Sequence, residues 1–506
     1  MKNRIWIVVG VALLVSGRAF AEVKVNALFS DNAVLQQGQP VPVWGTADNG
    51  EKVTVSFAGQ TAETVAKDGK WKVLLPALKA STSPQTMTIS GANKIEIKNL
   101  LVGEVWVCSG QSNMAFPIAP RGRWRTGVVN SEDVLKNSND PLLRLFRVPT
   151  QTKSESQSDV GGKWSECSSQ TLATFSAVGY FFGRDLRKSQ NVPVGLINAS
   201  VGGSSAEQWT SREALEANPA LRDIIAAHEK AIQDYSALTA KQKTEEPAPQ
   251  EKPKADDEQA KAADKPSPGK RKGPGDPTIF GPACLYNAMI APLQPFAIKG
   301  VIWYQGESND ARAKQYQTLF PTLIACWRNA WGQGEFPFLF AQITPNETMH
   351  PEIREAQLVT WQKTPNTAMV VTTDHGAAKD IHPREKEPVG ARLARAARAI
   401  AYGEKIEYSG PVFKSLTVEG NKAVLSFTHV DGGLVAKDGE LKGFTIASAD
   451  KKFVPATAKI DGDMVVVNSA GVAHPVAVRY GWANVPDVNL FNKADLPATP
   501  FRSDAE

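Results

Sequence analysis

Four polar runs in this chain each follow a short apolar stretch, and each holds residue types that do chemistry. The first is Ser109-Gly110-Gln111-Ser112-Asn113-Met114. A serine on a tight strand-exit turn can aim its hydroxyl at a substrate and present its own backbone N–H to an oxyanion, two requirements of acyl transfer. Met114 stands where a G-x-S-x-G elbow would place its second glycine, so that motif is not indicated. The second run, Ser200-Val201-Gly202-Gly203-Ser204-Ser205, has a glycine pair that permits close backbone approach, so an N–H at Gly203 or Gly202 can face a ligand. It lacks the lysine of a phosphate-cradling loop. The third, Tyr304-Gln305-Gly306-Glu307-Ser308-Asn309-Asp310, offers the Asn309 amide as a further oxyanion donor. The fourth runs from Asp374-His375 to Asp380-Ile381-His382-Pro383.

With six histidines in the chain, the candidates for a general base can be counted. His228 lies in a polar helical stretch, His350 in a turn, and His429 and His474 in a C-terminal region of alternating residues. Only His375 and His382 follow an apolar strand of the middle region. His382 has a carboxylate, Asp380, two residues before it that can hold the imidazole. The order Ser…Asp…His across two strand exits reads as nucleophile, orienting acid and base, with Asp374 a rival for the acid. Glu307 and Asp310 are the pair a glycosidase would use, but three residues apart on one loop is poor geometry for flanking a glycosidic bond. Trp124, Trp209, Trp303, Arg121, Arg123 and Arg125 flank these runs. Aromatic faces suit sugar rings and arginine suits a carboxylate, which makes Trp209 and Arg125 the substrate-binding candidates. Core burial of the tryptophans and a solvated loop for the arginines are the competing readings.

The elements that must position these residues follow from periodicity. Residues 22–101 alternate apolar and polar positions between turn residues, the mark of a small β module. From 102 to 403, apolar strands (104–108, 143–148, 194–199, 300–304, 337–343 and 369–373) alternate with amphipathic helices (176–188, 316–331, 354–363 and 385–401). That alternation predicts an α/β domain with a mostly parallel sheet covered on both faces, whose site lies beyond the carboxyl ends of the strands. Residues 236–277 are rich in Lys, Glu, Ala and Pro without apolar periodicity, and predict a disordered insertion. Residues 404–506 return to alternation, a second β module.

The chain of 506 residues, 42% apolar, is long enough for two or three domains. Lys2, Arg4, the apolar run 5–15 and Ala19-Phe20-Ala21 read as a signal peptide over 1–21, cleaved before Glu22. Removing Lys2, Arg4 and Arg18 brings the formal net charge from +5 to +2, so the basicity is a targeting feature and does not argue for nucleic acid. No later stretch is long and apolar enough to span a bilayer, so no membrane partner is expected after cleavage. Cys108, Cys167, Cys284 and Cys326 are scattered, which argues against a zinc site and a disulfide scaffold. Cys108 and Cys326 read as small buried hydrophobes, and the pairing of Cys167 is open.

Taken together, Gly110-Gln-Ser-Asn-Met114, Trp303-Tyr-Gln-Gly-Glu-Ser-Asn309 and Asp380-Ile-His-Pro383 resemble the signature blocks of the sialate O-acetylesterase family, in the SGNH hydrolase superfamily. The resemblance spans nearly the whole mature chain, from Phe29-Ser-Asp-Asn-Ala-Val-Leu-Gln-Gln37 through Leu285-Tyr-Asn-Ala-Met289, Arg354-Glu-Ala-Gln357 and Val389-Gly-Ala-Arg392 to Arg479-Tyr-Gly-Trp482. It implies a three-layer α/β/α catalytic domain and a secreted or periplasmic serine esterase of O-acetylated carbohydrates, sialic acids first. Ser112 would attack the acetyl carbonyl and His382 would carry the proton. Ser112, Gly203 (or Gly202) and Asn309 would form the oxyanion hole, with no metal or cofactor. Superfamily members usually place the acid three residues before the histidine, where this chain has Lys379. Asp380, Asp374 or a backbone carbonyl would then orient His382. The alternatives are deacetylation of xylan-like polysaccharides and a non-catalytic carbohydrate-binding protein, which would tolerate loss of the Ser112 hydroxyl.

Overall fold

The 17-residue strand Lys94–Gly110 carries two burial patterns. Lys94, Glu96 and Lys98 are exposed while Ile97 is buried, and from Leu100 to Gly110 every residue is buried. Its first half pairs antiparallel with Ser81–Ser90, and its second half lies between Val194–Ser200 and Gly300–Tyr304, parallel to both. A strand covered on one face alternates, and one covered on both does not. One unbroken strand therefore joins the N-terminal β region to the catalytic region, across the expected boundary at 101. The protein is described here by a computed structural model covering residues 22–122, 124–245 and 276–504. The expected signal peptide and Arg123 lie outside the described residues.

From edge to edge the central strands are Trp164–Cys167, Asp140–Arg147, Val194–Ser200, Lys94–Gly110, Gly300–Tyr304, Phe338–Ala341 and Thr367–Val370. Trp164–Cys167 pairs antiparallel with Asp140–Arg147, and the other neighbours are parallel. Through Lys94–Gly110 the same sheet continues into the antiparallel strands Lys52–Phe57, Gln60–Val65 and Ser81–Ser90. With these N-terminal strands included, the whole sheet is mixed. Tight hairpins supply antiparallel pairs, whereas parallel neighbours need a crossover.

Alternate residues of the central strands enter two hydrophobic clusters. Val105, Val107, Val301, Trp303 and Phe340 pack with Leu319, Phe320 and Ile353 from the helices Ala313–Trp331 and Pro351–Lys363. Trp106, Cys108, Ile302, Tyr304 and Ala341 pack with Phe182, Leu186, Leu393 and Ala397 from Ala177–Gln190 and Glu387–Ile400. The helix Ala177–Gln190 starts where the Ser176 Oγ accepts from Gly179 N–H at 3.0 Å and stops at Asn191, in the left-handed region at φ 52°.

The helix Arg222–Glu245 runs into the segment expected to be disordered from Ser236, and corrects that boundary. Buried Ile224 and Ile225 anchor its first turns, and extending a formed helix costs far less than starting one. Residues 246–275 of that insertion lie outside the described residues. In the C-terminal β region, Val412–Glu419, Lys422–Thr428, Met464–Asn468 and Thr457–Asp461 form an antiparallel sheet. The C-terminal β region is tied to the central domain by Arg502, whose Nε and Nη2 donate to the Glu355 carboxylate at 2.7 and 3.0 Å. All four cysteines are free and buried, and Cys167 Sγ lies 3.2 Å from the Ser138 carbonyl oxygen.

Candidate active site

Ser112 opens a four-residue helical turn, Ser112–Ala115, directly after the central strand ends at Gly110. Two features shape that exit. Gly110 has φ +135°, and a Cβ there would overlap the Tyr304 carbonyl. Gln111 N–H donates to the same carbonyl oxygen at 2.9 Å. Glycine is required here because the end of the neighbouring strand lies against it. The Ser200–Ser205 run is pinned alongside, with Val201 N–H donating to Gly110 O at 3.0 Å.

Ser112 Oγ lies 2.8 Å from His382 Nε2. The serine side is nearly closed to solvent at 7% exposure, and His382 is half-buried. A base within hydrogen-bond reach of a serine hydroxyl is the arrangement that activates oxygen for attack on a carbonyl. The Trp124 ring stands edge-on to the His382 imidazole, centroids 4.7 Å apart. Trp124 forms an isolated bridge with Arg121, and Arg121 and Arg125 are exposed.

The expected acids have different partners. Asp380 Oδ1 accepts from the backbone N–H of His382 at 2.9 Å, so it shapes the loop that carries the base. Asp374 is gripped by Arg392, Nη1 to Oδ1 at 2.8 Å and Nη2 to Oδ2 at 2.6 Å. His375 joins the same cluster, its Nε2 3.4 Å from Asp374 Oδ2 and its Nδ1 2.7 Å from Glu385 Oε2.

Asn309 is 1% exposed and clamps two loops. Its Oδ1 accepts from Ala206 N–H at 2.9 Å and Gln305 Nε2 at 2.7 Å, and its Nδ2 donates to Glu207 Oε2 at 2.9 Å. Gly203 is exposed at φ +78°, a conformation glycine adopts without strain. Glu307 faces inward to Asn113 at 2.5 Å and Asp310 turns outward to His350 Nδ1 at 2.6 Å, so the two carboxylates do not face one bond.

Trp209 is a correction. It is 0% exposed, its Nε1 donates to Ser204 Oγ at 2.8 Å, and it meets Trp303 edge-on at 6.1 Å. With no open face it cannot bind a sugar; it and Trp303 belong to the core. Trp124, by contrast, stands beside the His382 ring. Lys386, buried against Asn113, had no signal in the sequence, where it reads as one charge in a polar loop.

A family model described as "carbohydrate esterase, sialic acid-specific acetylesterase" matches residues 102–243 and 279–399. The chain belongs to this family of carbohydrate esterases. It is 31% identical to the sialate O-acetylesterase of Rattus norvegicus, over 94% of this chain and 93% of that one. The human sialate O-acetylesterase is 28% identical over 94% of this chain and 91% of its own. Among solved structures, a carbohydrate acetylesterase from Xanthomonas citri is 37% identical and superimposes with a TM-score of 0.80, covering 96% of this chain and 100% of that one. As a member of the family, this carbohydrate esterase is a carboxylic ester hydrolase acting on O-acetyl esters of carbohydrates.

Proposed function

We propose that this carbohydrate esterase removes acetyl groups from O-acetylated sialic acids by a serine mechanism on an SGNH-type three-layer α/β/α domain. The observation that carries the mechanism is the 2.8 Å contact between Ser112 Oγ and His382 Nε2. His382 takes the hydroxyl proton as Ser112 attacks the acetyl carbonyl, then returns it to the leaving sugar hydroxyl. Water, activated by the same imidazole, releases acetate from the acyl-enzyme. The oxyanion is received by the backbone N–H groups of Ser112 and Gly203 and by the Asn309 amide, whose second N–H is available in kind once Glu207 has taken the first. Losing one such donor costs on the order of 3 kcal/mol of transition-state stabilisation. Asp380 serves as the acid of the triad, and it holds the loop that carries His382. No metal or cofactor takes part.

The sialic acid reading rests on the exposed Arg121 and Arg125, on the turn whose Trp124 touches His382. A guanidinium at the mouth of the site suits the carboxylate that sialic acids carry and neutral sugars lack. The flanking regions 22–101 and 404–506 frame the catalytic domain 102–403, and the mature chain begins at Glu22 in the periplasm or outside the cell. The test is acetate release from a panel of O-acetylated sialic acids and acetylated xylo-oligosaccharides. Sialates are expected to be the better substrates, and Arg125→Ala to raise KM for them alone. Release from the xylo-oligosaccharides only would overturn the substrate and leave the esterase chemistry standing.

A further inference from the structure

Lys386 is 1% exposed, sits at the start of the helix Glu387–Ile400, and has no part in the mechanism above. Its Nζ lies 2.5 Å from Asn113 Oδ1, above the rings of Phe116 and Tyr304 at 5.0 and 5.7 Å. Asn113, itself 0% exposed, donates from Nδ2 to Glu307 Oε1 at 2.5 Å and to the Ile381 carbonyl oxygen at 3.0 Å. The orientation of that amide is determined by its partners. Lysine is the donor and the other two are acceptors, so only one flip of the amide satisfies all three.

The connectivity is specific. Asn113 follows Ser112 and Ile381 precedes His382, so one buried amide links the residues adjacent to both reacting groups. Placing an ammonium there is unfavourable. Burial pushes Lys386 down to about 7 against the attraction of Glu307 and Asp380, and pushes the Glu307 carboxyl up. A pair of well-packed apolar side chains in place of both buried charges, Lys386 and Glu307, would stabilise the fold at least as well. What such a pair could not do is donate to Asn113.

We propose that Lys386 is a positioning residue: it fixes the Asn113 amide, and through Asn113 it holds the His382 loop in register with Ser112. This rests on the Ser112–His382 reading. A misplacement of the base of about 1 Å would slow acylation about 100-fold without altering how substrate binds.

The experiment compares kcat and KM for 4-nitrophenyl acetate in Lys386→Met, Asn113→Ala and the double variant, with near-UV circular dichroism to verify folding. Lys386→Met is expected to lose about 100-fold in kcat with KM within about twofold. Since Lys386 acts through Asn113, the double variant should fall no further than Asn113→Ala alone, to within about twofold. Lys386→Met leaves the Glu307 carboxyl buried without its cation, so Lys386→Met/Glu307→Gln is made as well. It removes both charges, keeps the acceptor for Asn113, and is expected to fold with the same loss in kcat. Near-normal kcat in either folded variant, a loss carried by KM alone, or losses that multiply in the double variant would overturn the proposal. Ser112→Ala is run alongside: if it still hydrolyses the ester, the underlying mechanism fails instead.

Discussion

Ser112 Oγ and His382 Nε2 meet at 2.8 Å although 270 residues separate them in the chain. They meet because each leaves the carboxyl end of its strand at the same edge of one sheet, where open α/β folds place their sites.

Ser112→Ala removes the proposed nucleophile without enlarging a side chain. It should abolish hydrolysis of 4-nitrophenyl acetate while the circular dichroism spectrum stays that of the wild type. A variant that retains normal turnover would return the chain to the non-catalytic, carbohydrate-binding reading.

Asp380→Asn and Asp374→Asn separate the proposed triad acid from the carboxylate that Arg392 holds. At fixed pH, Asp380→Asn should lower kcat, and Asp374→Asn should leave it within about twofold while costing on the order of 1–3 kcal/mol of stability. Against the upward push of burial, Arg392 holds Asp374 below the usual carboxylate range. Its contribution is therefore present at neutral pH and lost as pH falls through that lowered value. Denaturation midpoints of wild type and Asp374→Asn should converge in acid. The assignment is reversed if only Asp374→Asn loses turnover.

Lys386 gives stability the opposite pH signature from a surface lysine. Its folded-state value is near 7 against 10.5 for a free side chain, so between these limits the unfolded chain binds a proton the folded chain has released. Stability contributed by this site rises with pH across that window, by at most about 1.4 kcal/mol per unit. Urea unfolding from pH 7 to 10 should show wild type gaining on Lys386→Met. A constant gap would mean the ammonium keeps its proton throughout.

Gly110→Ala should cost both stability and turnover. The new Cβ would overlap the Tyr304 carbonyl, and φ +135° is strained for any side chain. Together these cost on the order of 1–3 kcal/mol or more. Gly203→Ala is the control: φ is also positive, but a Cβ there meets nothing within 4 Å. Its loss of stability should be smaller, measured by thermal unfolding.

The sequence alone determined the strand exits and the residues on them. Apolar runs of strand length followed by the polar loops that hold Ser112, Gly203, Asn309 and His382 are local patterns, and local patterns survive in one dimension. The helices 177–190, 313–331, 351–363 and 387–400 were legible in the same way, within a few residues at their ends. Tertiary structure decided what depends on who packs against whom. Trp209 and Trp124 look alike in a sequence, yet one is sealed against Trp303 and the other stands beside His382. Lys386 reads as a solvated charge until Phe116, Tyr304 and Asn113 close over it. The strand Lys94–Gly110 crosses an apparent boundary because pairing partners, which change along its length, are long-range. Burial and partnership are properties of the folded chain, and no spacing of residues encodes them directly.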